Sequence, residues 1–409
     1  MESTSSVEAA GREGGIRELL VRSIRHNTKQ YTMALALVAI WLTFAFLTEG
    51  IFLTPRNLSN LFVQSVTTAI LAIGMVLVIV AGHIDLSVGS VMGFTGAVCA
   101  MLLIDREWGI LPAVLATLGV GLAIGAWHGF WVAYRKVPAF IVSLASMLAF
   151  RGLIIGITGG QTQGLEMAPE RTAEVFKLVG QGYLPTIRDA AEGRVHDTSL
   201  YFSLAVIGVF VAWSLRKRAA RRRYGFSVLP GWAEGLRLAF LSAIVFTFAM
   251  IMVIYLGIPW SVVLLLGLAV LFSFVASDTT FGRHLYAIGG NPDAARLSGI
   301  QVARNTFALF MVMGLMTAVA GIVYTSRLNA ATTSAGQNAE LDAIAAAVIG
   351  GTSLLGGEGT IFGAIIGALV MASLDNGMSL MNLDITFQYV IKGLILLLAV
   401  WVDMAQRKK

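Results

Sequence analysis

The sequence predicts an all-α, multi-pass membrane protein of about twelve transmembrane helices in two related halves, with both termini cytoplasmic. Three observations carry this. Of 409 residues, 57% are hydrophobic and only 13% are charged, against roughly 25% charged in an ordinary globular chain, and the mean hydropathy is +0.79. The apolar runs are long and continuous, without the alternation over about ten residues that marks an outer-membrane barrel. The strongly basic loops all fall on one side when the runs are threaded back and forth through a bilayer. The 44 glycines fit helices that pack backbone to backbone in lipid.

Residues 1–30 form a polar cytoplasmic tail without the basic, apolar, small-residue order of a cleavable signal. Ile16, Leu19, Leu20 and Ile24 recur at helical spacing with Arg17, Arg22 and Arg25 between them. That pattern predicts a short interfacial helix on the inner leaflet, a frayed basic tail being the alternative. A single membrane domain follows over 31–403, then a basic tail over 404–409. Its spans are expected near 31–53, 61–81, 87–104, 110–134, 138–158, 199–215, 236–257, 259–276, 305–326, 341–356, 361–377 and 386–403. This threading puts Arg135 and Lys136, the cluster Arg216 to Arg223, then Arg283, Arg296 and Arg304, and finally Arg407 to Lys409 inside. The outer loop 159–198 mixes both signs of charge, and Val175, Leu178 and Val179 suggest a lid or docking helix there, or else a disordered insertion.

The cytoplasmic loop 277–304 carries a second signal. Asn291 is an N-cap residue type, Pro292 suits the first helical position, Asp293 the first turn, and Gly299 stands past the end. A two-turn helix over about 292–298 is expected. A helix this short is marginal in water and must pack on its loop or on a partner.

Within the membrane domain, His83 and Asp85 sit between two apolar runs, bracketed by Gly82 and Gly89. An aspartate at a helix centre costs about 2.5–3.5 kcal/mol on insertion scales. Two readings fit: a polar turn joining two spans, or a group lining a path. A similar pattern returns over 349–363, where Gly82 aligns with Gly351 and, after one inserted residue, Gly89 and Gly93 align with Gly359 and Gly363. This weak internal repeat is a mark of many transporter folds.

The chain lacks a P-loop, a His-Glu-x-x-His zinc motif, paired cysteines and a Gly-x-Ser-x-Gly element. Its one cysteine, Cys99, lies in a span. No cofactor or metal is expected, no basic patch interleaved with aromatics points to nucleic acid, and an enzyme reading would rest on scattered groups such as His83, Asp85 and His128.

Four motifs in order carry a resemblance: Gly82-His-Ile-Asp-Leu-Ser-Val-Gly89, Lys136-Val-Pro-Ala-Phe-Ile-Val-Ser-Leu-Ala145, Gly289-Gly-Asn-Pro-Asp-Ala-Ala-Arg-Leu-Ser-Gly299 and Glu340-Leu-Asp-Ala-Ile-Ala-Ala346. From about residue 30 to the end the chain resembles the inner-membrane permease subunits of bacterial ABC sugar importers, ribose/xylose type. Ala133 to Pro138, Met371 to Met378 and the extra membrane segments between the halves are most similar to the xylose-carrying members. The resemblance implies a cytoplasmic ABC ATPase subunit that supplies the energy, a periplasmic sugar-binding protein, and a second permease copy forming a homodimer in the bilayer. It implies that Gly290, Asn291, Pro292, Asp293, Ala294, Ala295, Arg296, Leu297 and Ser298 form the element that seats in the ATPase.

For the sugar path the candidates are Asp85, Ser87 and Ser90 from the first half and Asn338, Glu340 and Asp342 from the second, with Thr352, Ser353, Asp375, Asn376 and Gln388 as further ones. Buried sugar hydroxyls need side-chain partners, although each residue taken singly also suits helix-to-helix bridging or capping. Lys392 is expected to snorkel to the outer interface. Two rivals stay open: the same machine with another cargo (ribose, galactose, a nucleoside or a branched-chain amino acid), and an ion-coupled secondary transporter with Asp85 or Glu340 as the ion site.

Overall fold

The computed structural model describes residues 28–187, 195–226 and 228–407, and the interfacial helix expected near 16–25 lies outside them. Fifteen α-helices make up the described chain: α1 Thr28–Leu47, α2 Pro55–Val80, α3 Val88–Ile104, α4 Ile110–Gly129, α5 Ala139–Thr158, α6 Glu170–Gln181, α7 Asp197–Arg223, α8 Gly231–Tyr255, α9 Trp260–Asp278, α10 Thr280–Gly290, α11 Pro292–Leu297, α12 Val302–Leu328, α13 Ala339–Ile349, α14 Ile361–Leu380 and α15 Ile385–Arg407. A π-helical turn, Phe130–Tyr134, extends α4.

Each of the expected segments coincides with a helix. Among the described residues, eight helices are long and apolar enough to cross a bilayer unaided, and Leu35–Leu47, Val88–Ile104 and Ile385–Trp401 are shorter apolar pieces. The protein is an all-α polytopic membrane protein. Several boundaries differ from expectation, among them α1, which ends at Leu47 rather than 53, and α7, which runs to Arg223 rather than 215; two others have a local cause. α2 starts at Pro55 rather than near 61, because Thr54 accepts from the Asn57 amide and Pro55 takes the first helical position. α13 stops at Ile349 rather than 356, because Gly351, Gly356 and Gly357 all take positive φ. Eleven residues at 1.5 Å each make α13 about 16 Å long, half a hydrocarbon core.

α2 is the axis of the molecule. From Ala69 to Val80 it is apolar around its whole circumference, and 83% of its most hydrophobic window is buried, as such a stretch requires. α12, α13 and α14 surround it, with α9 and α8 behind. On its far side α12 packs against α4 through a seam of Gly121, Gly125 and Gly129, where a Cβ would strike Gly314, Phe310 and Phe307. Small residues let the two backbones meet, which is how helices gain packing energy where no hydrophobic drive separates them from lipid.

Residues 159–187 of the outer loop are held by two attachments. Gln163–Gly164 pairs antiparallel with Ala330–Ala331. The amphipathic α6 then docks on the end of α12: Ser326 donates its hydroxyl to the Phe176 carbonyl (2.6 Å) and accepts from the Gly180 amide (2.8 Å). The docked face is Ala173, Phe176 and Gly180, all buried; of the three residues whose spacing suggested the helix, Val179 packs on the core while Val175 and Leu178 face outward.

Candidate functional site

Two capped helix ends and the turns that follow them carry buried polar groups of the membrane domain. At the end of α2, Ala81, Gly82 and His83 donate their amides to Leu77, Ile79 and Val78; at the end of α13, Gly350, Gly351 and Thr352 donate to Ala346, Val348 and Ala347. The spacing within the two sets is identical. Gly82 and Gly351 hold φ +80° and +84°, a left-handed conformation that glycine adopts without cost. The likeness read in the sequence is thus a likeness of one cap: in both places a helix ends on a glycine of positive φ, and in the second α14 then folds back along α13. The connection differs by more than the one residue expected, running over 81–87 in the first half and 350–360 in the second.

The first turn is closed by its own polar groups. Asp85, 2% exposed, accepts from the Ser87 amide at 2.8 Å and its hydroxyl at 2.6 Å, and Ser90 donates to the Ser87 carbonyl at 2.8 Å. His128 Nδ1 lies 4.0 Å from the second Asp85 oxygen. The Phe310 ring faces both His83 and His128. A buried carboxylate with two donors and a neighbouring imidazole has largely escaped the cost of isolation.

The second turn reaches across to the first. Gly357 donates its amide to the Val80 carbonyl at 2.8 Å. Ser353 holds the loop through its amide to Glu358 and its hydroxyl to the Leu355 amide, while the Thr352 hydroxyl is buried with no hydrogen-bond partner among the described residues. α10 packs into this junction. Gly289 is wedged between Val80 and Gly357, and the Tyr286 hydroxyl donates to Gly359 O at 2.7 Å. Burial holds the Tyr286 phenol above its usual range.

α10 delivers α11. Asn291 accepts from the Ala294 amide at 2.9 Å, Pro292 opens the helix, and Gly299 with φ +85° closes it, as the residue types predict. Asn291, Pro292, Asp293, Ala294, Arg296, Leu297 and Ser298 are exposed, as is Gly290, and Ala295 alone turns inward. Leu297 is 85% exposed. Asp293 and Arg296 pair on the surface at 3.5 Å. The result is a rigid knob with an apolar tip, mounted on the junction of both turns.

The remaining polar residues fall into separate groups towards the opposite end. Lys392 on α15 bridges Asp342 on α13 (3.1 Å) and Asp375 on α14 (2.8 Å). It is therefore an interior tether and not the snorkelling lysine expected from the sequence. Asn376 and Asn57 exchange two amide hydrogen bonds, 2.8 and 3.0 Å. Gln388 donates to the Leu383 carbonyl at 2.9 Å. Asn338 takes φ +62° and opens α13. Glu340 points its Oε2 at Gly89 of α3, buried and without a partner among the described residues. Beside it, Arg151 on α5 donates to the carbonyls of Ala335 and Gly336, both at 2.7 Å. Arg151, Thr333, Ser334 and Gln337 were not singled out by sequence reasoning, yet they share one wall; the signal was an arginine inside an apolar run, which is costly unless it faces a cavity or polar backbone.

The family described as branched-chain amino acid transport system, permease component, matches residues 57–400. The chain belongs to this permease family. It is 46% identical over 406 residues to the xylose transport system permease protein of Escherichia coli, covering 99% of this chain and 97% of that protein. The Haemophilus influenzae xylose transport system permease protein is also 46% identical, over 94% of this permease and 98% of its own length. The ribose import permease protein of Escherichia coli is 35% identical, covering 86% of this permease and 87% of the relative. No solved structure matches the chain.

Proposed function

We propose that this protein is the membrane-spanning permease of an ATP-driven sugar importer in the bacterial inner membrane, with xylose as its cargo. The observation that carries the reading is the end-to-end likeness to two xylose permeases. The fold supports it in two ways: the same glycine cap closes a helix in each half of the chain, as internal repeats of transporters lead one to expect, and an exposed knob can receive force from outside the membrane.

In this reading the helices make about twelve crossings with both termini cytoplasmic, following the basic loops, and residues 1–30 and 404–409 are cytoplasmic tails around the membrane domain 31–403. α11 seats in an ATPase subunit. Movement of α11 passes through α10 to the Gly289–Val80–Gly357 junction and thus to both turns together. A periplasmic binding protein delivers the sugar, and a second copy completes the path. Asp85, Ser87, Ser90, Asn338, Glu340, Asp342, Thr352, Ser353, Asp375, Asn376 and Gln388 remain the candidates along it. Uptake of D-xylose into vesicles reconstituted with the permease, its ATPase and its binding protein should require all three and ATP. Uptake by the permease alone on a proton or sodium gradient would overturn the proposal. The ribose-permease likeness favours a second reading, the same machine carrying ribose, which a binding screen on the partner binding protein separates.

A further inference from the structure

At the end of the molecule opposite α11, a cavity of about 420 Å³ opens to the surface, lined by Arg151, Ile155, Gly160, Thr333, Ser334 and Gln337. Its size lies within the roughly 300–1,000 Å³ of small-molecule sites. Its floor is fixed: the two Arg151 hydrogen bonds tie α5 to the loop that precedes α13. A guanidinium carries five donors, so those two bonds leave others at the cavity wall. Arg151 lies two helical turns before the end of α5 at Thr158, about 10 Å along the axis. An arginine at that depth, half-buried and facing an open cavity, marks a solute pathway more often than a scaffold.

The lining suits one chemical class. Thr333, Ser334 and Gln337 offer both donors and acceptors, Arg151 offers donors, and Ile155 offers an apolar face for ring C–H groups. No carboxylate lines it, which disfavours a cation, while Glu340 beside Arg151 balances the guanidinium charge, so the hydroxyl and amide partners that remain fit a neutral polyhydroxyl ligand. We infer that this cavity is the first station of the sugar in the permease, with Gln337 and Ser334 contacting the sugar and Arg151 both contacting it and holding the wall. The inference rests on the reading of the protein as a sugar permease.

The test uses the chain's own chemistry. Cys99 is the single cysteine and is fully buried, so a Gln337→Cys variant presents one accessible thiol to a membrane-impermeant maleimide. In vesicles containing the full importer, D-xylose with its loaded binding protein and ATP should slow that labelling at least fivefold relative to unloaded binding protein. The variant carrying Gln337→Ala with Ser334→Ala should lose about tenfold in sugar uptake while its ATP hydrolysis, stimulated by the loaded binding protein, stays at the wild-type level. A purely structural role would lower both. Arg151→Lys, which keeps charge but loses the planar fork that holds the Ala335 and Gly336 carbonyls, should lower uptake at least as far. The inference fails if the double variant transports at the wild-type rate, if its ATP hydrolysis falls in step with uptake, or if neither D-xylose nor D-ribose alters labelling. Failure of the wild-type vesicles to take up either sugar would instead strike the functional reading, and the labelling arm would still decide the site.

Discussion

The Gly357 amide donates to the Val80 carbonyl at 2.8 Å, so the second turn is hydrogen-bonded to the end of the helix that leads into the first. Gly289 fills the remaining space, where a Cβ would overlap the Val80 carbonyl. Gly289→Ala must therefore push α10 off the junction. Overpacking of this kind costs about 1–3 kcal/mol, and thermal unfolding of the purified protein should fall accordingly. Gly290→Ala meets nothing within 4 Å and should be near neutral. Equal stability of the two variants would remove the junction from the argument.

Lys392 holds α15 to α13 and α14 through two carboxylates. Lys392→Met leaves Asp342 and Asp375 facing each other without a cation. Fully buried pairs cost about 3–5 kcal/mol when one partner is removed. Asp375 keeps 38% side-chain exposure, so screening lowers the expected loss to about 2 kcal/mol. Adding Asp342→Asn and Asp375→Asn to Lys392→Met should recover most of it. Denaturant unfolding of the parent, the single and the triple variant checks this, and a triple variant no better than the single would show that packing of the lysine stem, not charge, is what matters.

What could be read in advance divides by range. Helices, glycine caps and the α11 cap were legible because each is a local property: an apolar run, a proline at the first position, a glycine that tolerates positive φ. The overlong expectation for α13 came from Leu354 and Leu355, which keep hydropathy high after Gly351 has already ended the helix. The Lys392–Asp342–Asp375 tether and the Arg151 clamp join residues 50 and 184 positions apart, and nothing local announces such a pairing. The outward turn of Val175 and Leu178 has the same origin, since Phe176 finds the end of α12 and rotates α6 to bury itself.

Asp85 separates a capping role from an ionic one. Asparagine at this position keeps an acceptor oxygen for the Ser87 amide and hydroxyl. Asp85→Asn should stay within about 1 kcal/mol of the parent and keep ATP-dependent uptake, whereas Asp85→Ala should lose about 1–2 kcal/mol by stranding the Ser87 donors. Well-folded Asp85→Asn without uptake would mean that the carboxylate charge itself is used in the path.

The exposed face of α11 gives the most direct trial of force transfer. The Asp293–Arg296 pair has side-chain exposures of 83% and 73%, so the fold gains little from it and exchanging the two charges should leave insertion and thermal stability unchanged. Leu297, at 85% exposure, has no packing to lose within the chain. An apolar tip of this kind is a natural anchor in a partner's groove. Leu297→Asp and the Asp293→Arg, Arg296→Asp exchange should therefore each cut permease-stimulated ATP hydrolysis at least tenfold in the reconstituted complex, while Leu297→Met, which refills the same groove, should keep most of it. Because α10 joins α11 to the junction of Gly289 with Val80 and Gly357, Gly289→Ala should keep ATPase binding yet lose sugar per ATP. Wild-type hydrolysis in both α11 variants would mean that force enters the permease elsewhere.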